Sequence, residues 1–301
     1  MTALRLGTRK SLMATTQSGL VADALTQRTG HAVELVGVTT EGDVSRALLA
    51  QIGGTGVFVN ELRDRLLAGE VDFAVHSLKD LPTADPEGIV LAATPRRDDP
   101  RDALCGPFKL ADLPRGARVG TGSPRRVAQL RAMRPDLDVV PIRGNADTRL
   151  RKITEGDLDA VVLAYAGLRR IGREEEIAEI FEPDQMLPAP GQGALALECR
   201  ADRSELRELL GTVDDPATRA AVTAERTVLA VLEAGCSAPV GAYAAEGEQE
   251  LRLTAAVVAH DGSRQIRLSA SGHPDQAERI GRELAAELLD RGADQLMGER
   301  D

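Results

Sequence analysis

Arginines recur beside glycine- and serine-rich turns in the middle of this chain. The segment GTGSPRR, residues 120–126, ends in the adjacent pair Arg125 and Arg126. Ser123 is placed to cap a helix whose first residue would be Pro124, so free backbone N–H groups would lie beside the two guanidinium groups. This arrangement can hold an anion. For this motif alone, a capped helix with two solvated arginines is an equal alternative.

A second arginine motif favours the anionic ligand. In RGNADTRL, residues 143–150, Arg143 ends an apolar run and Arg149 lies about one turn into the next helix, at the strand-to-helix edge where open α/β sheets bind ligands. With Arg9 and Arg170, guanidinium groups follow four separate strand patterns. Because a guanidinium pairs with a carboxylate through two parallel hydrogen bonds, a ligand with several carboxylates explains this repetition better than a single phosphate.

A lysine and an aspartate follow the apolar strand pattern DFAV in the motif HSLKDLP, residues 76–82. Lys79 and Asp80 could form a surface ion pair worth less than about 1 kcal/mol. In a cleft, a carboxylate about 4 Å from a developing cation would contribute about 4 kcal/mol at an effective dielectric constant near 20. Asp80 could then stabilise cations and transfer protons. His76 is expected to be packed or to support the site indirectly.

The three cysteines differ in their surroundings. Cys236 lies in EAGCSAPVG, residues 233–241, where a glycine-bordered loop would present its thiol for chemistry. Cys105 and Cys199 are expected to be inert and buried, which is also the alternative for Cys236. The wide, odd-numbered spacing argues against a disulfide framework and a structural zinc site.

Charge and composition exclude several classes of function. Residues 96–173 contain 17 Lys and Arg against 10 Asp and Glu, whereas the rest of the 301-residue chain has 20 basic and 37 acidic residues. This basic region within an acidic protein favours a specific anionic ligand. The net charge of -10, with no Trp and two Tyr, argues against a nucleic-acid partner. No apolar run of about 18 residues and no leader pattern are present, so the sequence predicts a cytoplasmic protein without a membrane partner.

Alternating strand and helix patterns predict α/β layers with largely parallel sheets. Residues 4–11 resemble residues 117–124, and residues 68–75 resemble 155–162, which indicates two similarly built domains. Segments 94–102 and 187–193 are plausible crossings between them, and two crossings would make a hinged cleft. After residue 216 a long helix, about 217–234, then strands and an amphipathic helix from Pro274 predict a small α+β domain. The predicted domains are 1–95 with 194–213, 100–189 and 216–301.

The motifs HSLKDLP, GTGSPRR, RGNADTR, LPAPGQGALALE and EAGCSAPVG, in this order, resemble the porphobilinogen deaminase (hydroxymethylbilane synthase) family over nearly the whole chain. The resemblance implies two type II periplasmic-binding-protein-like α/β domains flanking a cleft, and a small C-terminal α+β domain carrying a dipyrromethane cofactor. Members of the family join four porphobilinogen molecules head to tail, with loss of ammonia, and water releases hydroxymethylbilane. Each pyrrole carries an acetate and a propionate, so the resemblance implies that the arginines hold pyrrole carboxylates.

The resemblance also implies a role for individual residues. Asp80 would be the catalytic carboxylate, and Cys236 would anchor the cofactor through a thioether. Further cofactor ligands would be Ser77, Lys79, Asp80, Thr121, Ser123, Arg125, Arg126, Arg143, Gly144 and Asn145. Substrate would be bound by Arg9, Gln17, Arg149, Arg170 and Gln192. No metal is expected, and the protein is expected to be a monomer, with transient hand-over of product to uroporphyrinogen-III synthase.

One segment departs from the family pattern, and two other functions are alternatives to the one that the resemblance implies. In GGTGVFVNE, residues 53–61, Thr55 and Asn60 replace lysines that are common in the family, so the loop is expected to hold pyrrole carboxylates less tightly. Gly53, Gly54 and Gly56 predict that the loop is mobile in the absence of substrate. A non-catalytic two-lobed binding protein for a small polycarboxylate is one rival; it leaves the combination of Asp80 and Cys236 unexplained. A cysteine-dependent hydrolase would need a base beside Cys236. The nearby His260 and His273 have no recognisable companion motif.

Overall fold

Three β-sheets and their covering helices make up the computed structural model, which describes residues 3–39, 59–84, 86–234, 238–246 and 250–298. The strands are β1 (Leu4–Arg9), β2 (Val33–Val38), β3 (Phe73–Ser77), β4 (Ile89–Ala93), β5 (Asp102–Cys105), β6 (Arg118–Gly120), β7 (Asp138–Val140), β8 (Ala160–Ala164), β9 (Ile177–Ile180), β10 (Leu195–Arg200), β11 (Val240–Glu246), β12 (Leu251–Val258) and β13 (Gln265–Gly272). The helices are α1 (Leu12–Thr29), α2 (Asn60–Leu67), α3 (Pro124–Met133), α4 (Ala146–Thr154), α5 (Tyr165–Arg170), α6 (Ser204–Gly211), α7 (Pro216–Val231), α8 (Ala277–Asp290) and α9 (Ala293–Met297).

The first two sheets have the same design. Their strand orders are β2-β1-β3-β10-β4 and β7-β6-β8-β5-β9. The pairs of similar segments noted in the sequence contain equivalent strands, because β1 and β6 are the second strands of their sheets and β3 and β8 are the third. This repeated arrangement, with the small third unit, confirms the predicted fold class. Each sheet lies within one of the three predicted domains, whose bounds stay a prediction.

The sheets are only partly parallel. In sheet one, β1 runs parallel to β2 and β3, but β10 runs antiparallel to β3 and β4. In sheet two, β6 runs parallel to β7 and β8, but β5 runs antiparallel to β8 and β9. The expectation of largely parallel sheets was therefore wrong for the fourth strand of each sheet. That strand arrives through a crossing segment at the carboxyl edge of the strand beside it, so it must run the opposite way.

The third unit is an antiparallel sheet, β11-β12-β13, packed against helices. Buried residues of α7 and α8 form a continuous apolar core with alternate residues of β12, including Leu251, Leu253 and Val257. The predicted long helix spans Pro216–Val231, with Asp215 as its cap, so it ends earlier than residue 234. Pro274 begins a short 3₁₀ turn that leads into α8. Within the described ranges, no helix has the length and apolar character that crossing a membrane requires.

Candidate active site

Asp80 ends a 3₁₀ turn, Leu78–Asp80, that directly follows β3. At the end of β3, the Ser77 hydroxyl accepts a hydrogen bond from Gln17 Nε2 of α1 at 3.2 Å. Lys79 donates from Nζ to Gln192 Oε1 at 3.2 Å. Burial and the nearby Arg126 lower the pKa of Lys79 to about 8, although Asp80 and Asp102 oppose this shift. The turn therefore presents a carboxylate and an amine of lowered pKa at the same strand end.

The start of α3 has the capping geometry that the sequence predicts. Ser123 precedes Pro124, the first helical residue, and its hydroxyl accepts from the backbone N–H of Arg126. Thr121 is completely buried, and its side-chain oxygen accepts from the Ser123 N–H at 3.2 Å. The positive end of the helix and the two arginines thus lie together, as an anion site requires.

Both arginines of GTGSPRR are buried against Asp102, a residue that sequence reasoning missed. Arg125 donates to Asp102 Oδ2 at 2.7 Å and to the Leu187 carbonyl at 2.7 Å, and Arg126 lies 2.7 Å from Asp102 Oδ1. Burial would raise the pKa of Asp102, but the two arginines hold it well below its usual range. The two arginines are therefore not solvated. This excludes the alternative of a capped helix with two solvated arginines. The signal available in the sequence was an aspartate directly before the apolar residues of β5.

Gln192 joins the two α/β domains at the second crossing. Its side chain is buried, and its Nε2 donates to the Pro100 carbonyl at 2.7 Å and to Asp102 Oδ1 at 2.9 Å. Its Oε1 accepts from Lys79 of the first domain and, at 3.4 Å, from Arg126 of the second. One amide therefore contacts both α/β domains and the first crossing.

RGNADTR forms the second cationic corner. Asn145 caps α4 through a hydrogen bond from the Thr148 N–H at 2.9 Å, and Gly144 has a φ of 104°, where an L side chain would be strained. Arg149 donates to the Gly144 carbonyl at 2.8 Å. Burial, Arg126 and Arg143 lower the pKa of Arg149 to about 10, and Asp80 opposes them. Arg126 of the first motif and Asp80 therefore lie close enough to act on the charge of Arg149.

Arg170 has a different environment from the other predicted ligands. It donates to Asp98 Oδ2 at 2.8 Å and to the Gly193 carbonyl at 2.6 Å, so it links α5 to both crossings. Arg9, by contrast, is the last residue of β1, at the same sheet edge as Asp80. The structure thus places most predicted ligands just after strands of the two α/β sheets, whereas Arg170 is engaged at the two crossings.

Some predicted features lie outside the described residues. These include Cys236, Thr55 and the other residues of 53–58 in the loop 53–61, whose mobility stays a prediction, whereas Asn60 begins α2. Cys105 and Cys199 are buried, as expected. Burial raises the pKa of Cys105 to about 12 and raises that of Cys199, so neither thiol is activated.

The charges at this edge suit a ligand with several carboxylates. Arg126 lowers the pKa of both Lys79 and Arg149, and Arg143 also lowers that of Arg149. Asp80 opposes both shifts, and Asp102 opposes that of Lys79. Arg125 Nε is buried without a hydrogen-bond partner in the described part of the chain. A surplus of partly desolvated cations is costly unless anions join them. The site therefore fits dipyrromethane and porphobilinogen, whose carboxylates would supply the missing charge.

Comparisons with known proteins agree with this geometry. The family described as porphobilinogen deaminase, dipyromethane cofactor binding domain, matches residues 4–208, and its C-terminal domain matches residues 219–290. The chain is 62% identical to porphobilinogen deaminase of Thermobifida fusca, covering 99% of this chain and 97% of the relative. It is 60% identical to porphobilinogen deaminase 1 of Streptomyces coelicolor, covering 99% and 98%.

Among solved structures, the methionine binding protein MetQ is similar with a TM-score of 0.46 and 12% identity, covering 70% of this chain and 89% of that one. This likeness is too low to bear on function. The family matches, by contrast, extend over both α/β domains and the third unit. The cationic edge around Asp80 and the full-length similarity to these relatives place the chain in the porphobilinogen deaminase family.

Proposed function

We propose that Asp80 is the catalytic carboxylate of the family reaction in this chain. The reaction is the stepwise head-to-tail condensation of four porphobilinogen molecules, with loss of ammonia, on a dipyrromethane cofactor, followed by hydrolytic release of hydroxymethylbilane. One observation carries the proposal: Asp80 is the carboxylate of the turn that follows β3, and it opposes the lowering of the pKa of both Lys79 and Arg149. The chain is thus a transferase, and a non-catalytic binding protein is not favoured.

Asp80 acts on the charge that develops as ammonia leaves porphobilinogen. A positive charge grows on the substrate at that point, and a carboxylate about 4 Å away contributes about 4 kcal/mol at an effective dielectric constant near 20. The same oxygen atoms can then accept the proton that leaves the pyrrole ring. Because the charge exists mainly in the transition state, this contact raises turnover more than it tightens substrate binding.

The surrounding cations bind and orient carboxylates. Arg125 and Arg126 are fixed by Asp102 and therefore present their remaining donors in one orientation. Ser77, Thr121, Ser123, Arg143, Gly144 and Asn145 would complete the cofactor site, and Arg9, Gln17, Arg149, Arg170 and Gln192 would bind substrate. When bound, dipyrromethane supplies the pyrrole position to which each new ring is joined. We assign its thioether attachment to Cys236.

We further propose that the protein is a cytoplasmic monomer, that its domains are 1–95 with 194–213, 100–189 and 216–301, and that it passes product transiently to uroporphyrinogen-III synthase. The third sheet, together with α7 and α8, supports the last domain, since it has its own apolar core.

The test replaces Asp80 with asparagine, which keeps the shape and removes the charge. Asp80→Asn should lower turnover at least about 100-fold, or roughly 2.7 kcal/mol, with KM changed much less. Intact mass should show a dipyrromethane adduct on wild type and on Asp80→Asn, and peptide mapping should place it on Cys236. Cys236→Ala is the matched control and should fold without the adduct.

Two results would contradict the assignment. Near-normal turnover of Asp80→Asn with weaker substrate binding would make Asp80 a positioning residue. An adduct of unchanged mass on Cys236→Ala, mapped to Cys105 or Cys199, would move the attachment point.

A further inference from the structure

An arginine of the third domain binds the backbone of the segment that carries Asp80. Arg226 lies in α7, and its guanidinium donates to three carbonyl oxygens of residues 78–82. The distances are 3.3 Å to Leu78, 3.1 Å to Leu81 and 2.7 Å to Pro82. One planar fork therefore contacts the backbone on both sides of Lys79 and Asp80.

Apolar packing holds the same two elements together. Val222, one helical turn before Arg226, is 2% exposed and belongs to a buried cluster with Leu78 and Leu81. The cluster extends to Ala196 of β10, so it joins α7 to the fourth strand of sheet one. The guanidinium and the apolar residues thus fix the position of the turn from the same side.

The turn has little regular structure to hold it in place. Leu78–Asp80 is a single 3₁₀ turn, closed by a hydrogen bond from the Leu81 N–H to the Leu78 carbonyl at 3.1 Å. Carbonyl groups at the end of such a turn need partners from outside it. Arginine suits this task because its five donors have a fixed planar geometry, whereas a lysine ammonium is a compact point charge.

We propose that Arg226 is a positioning residue that aims the Asp80 carboxylate from the third domain. The inference rests on the catalytic role proposed for Asp80. Residues 226 and 236 are ten positions apart, so α7 supports the catalytic turn just before the chain reaches the assigned cofactor anchor. The third domain would then set the position of the cofactor and of the carboxylate that serves it.

The experiment measures kcat and KM for Arg226→Lys and Arg226→Ala, each normalised to the fraction that carries cofactor by intact mass. Arg219→Ala is the matched control, because Arg219 also joins α7 to the first domain, through the Ala92 carbonyl at 3.1 Å, without contacting the Asp80 turn. Each substitution is also made in an Asp80→Asn background. Melting temperature is recorded for all variants, and Arg226→Lys carries the test if the alanine variant does not fold.

We expect Arg226→Lys to lower kcat about 10-fold and Arg226→Ala up to about 100-fold, as small displacements of a catalytic group can do, with KM changed less than about threefold. In the Asp80→Asn background the further loss should be under about twofold, because no catalytic carboxylate remains to be displaced. Arg219→Ala should retain kcat within about twofold. Equal fold-losses in both backgrounds, or an equal loss in Arg219→Ala, would overturn the inference. Full turnover of the Asp80→Asn single variant would instead overturn the catalytic role proposed for Asp80. That result does not depend on any Arg226 variant.

Discussion

The two α/β domains each bury a carboxylate on the antiparallel fourth strand of the sheet. In the first domain it is Glu198 of β10, which lies opposite Ala74 near the start of β3. In the second it is Asp102 of β5, which lies opposite Ala164, the last residue of β8. The first carboxylate is therefore away from the carboxyl edge of its neighbouring strand, and the second lies at that edge.

The partners of the two carboxylates differ accordingly. The Glu198 carboxylate accepts hydrogen bonds from Arg63 Nε at 3.0 Å and from Arg63 Nη2 at 2.7 Å. It also lies 3.3 Å from His76 Nε2. These partners belong to α2 and β3 of the same domain. Asp102 is bound by two arginines that begin α3 and by Gln192 of the crossing. Equivalent strands thus use a buried charge in two ways: to fix a helix on its sheet, and to hold cations beside the ligand edge.

The largest expected effect separates these two uses. Asp102→Asn leaves Arg125 and Arg126 without their internal counter-charge, and removing one partner of such a buried group costs about 3–5 kcal/mol. We expect cofactor-dependent turnover to fall about 100-fold or more, because the arginines lose their orientation. Glu198→Gln should change turnover per folded, cofactor-loaded molecule less than about threefold. Turnover is measured in single-turnover assays and normalised to the cofactor-loaded fraction from intact mass. Equal losses of turnover in both variants would contradict the distinction between Asp102 and Glu198.

Local patterns in the sequence predicted much of the fold and the site. The cap at Ser123, the helical position of Arg149 and the pairs of similar segments all depend on neighbouring residues, so their local signals were sufficient. Asp102 and Arg226 were missed because their partners lie far away along the chain: Asp102 pairs with residues 23 and 24 positions on, and Arg226 with carbonyls more than 140 positions back. Backbone carbonyl partners leave no side-chain signal in a sequence.

A second, intermediate effect is the acid sensitivity of the first domain. Burial would raise the pKa of Glu198, but His76 and Arg63 outweigh it and lower the pKa to about 2. An unfolded glutamate titrates near 4.3. The folded state therefore gains stability that is complete above about pH 4.3 and is lost as the pH falls towards 2, a change of about 3 kcal/mol.

Glu198→Gln should flatten this part of the pH dependence. Urea unfolding between about pH 5 and 3 measures it, and Glu283→Gln is a suitable control because Glu283 pairs with Arg279 on the exposed surface. An unchanged slope in Glu198→Gln would show that acid unfolding begins elsewhere, for instance at Asp102.

The smallest expected effect is the pH dependence of cofactor loading, which depends on the Lys79 amine in the cleft, facing the second domain. Lys79 has a pKa lowered to about 8, chiefly by burial and by Arg126, so the cofactor-free protein loses this cation as the pH rises through about 8. The unfolded amine keeps its proton to about pH 10.4, so stability rises with pH between these values while affinity for carboxylates falls. We expect cofactor loading of the apo-protein to weaken several-fold between about pH 7 and 9. Lys79→Arg, which stays charged across this range, should load with much less pH dependence. An identical decline in both proteins, followed by intact mass against time, would assign the effect to another group.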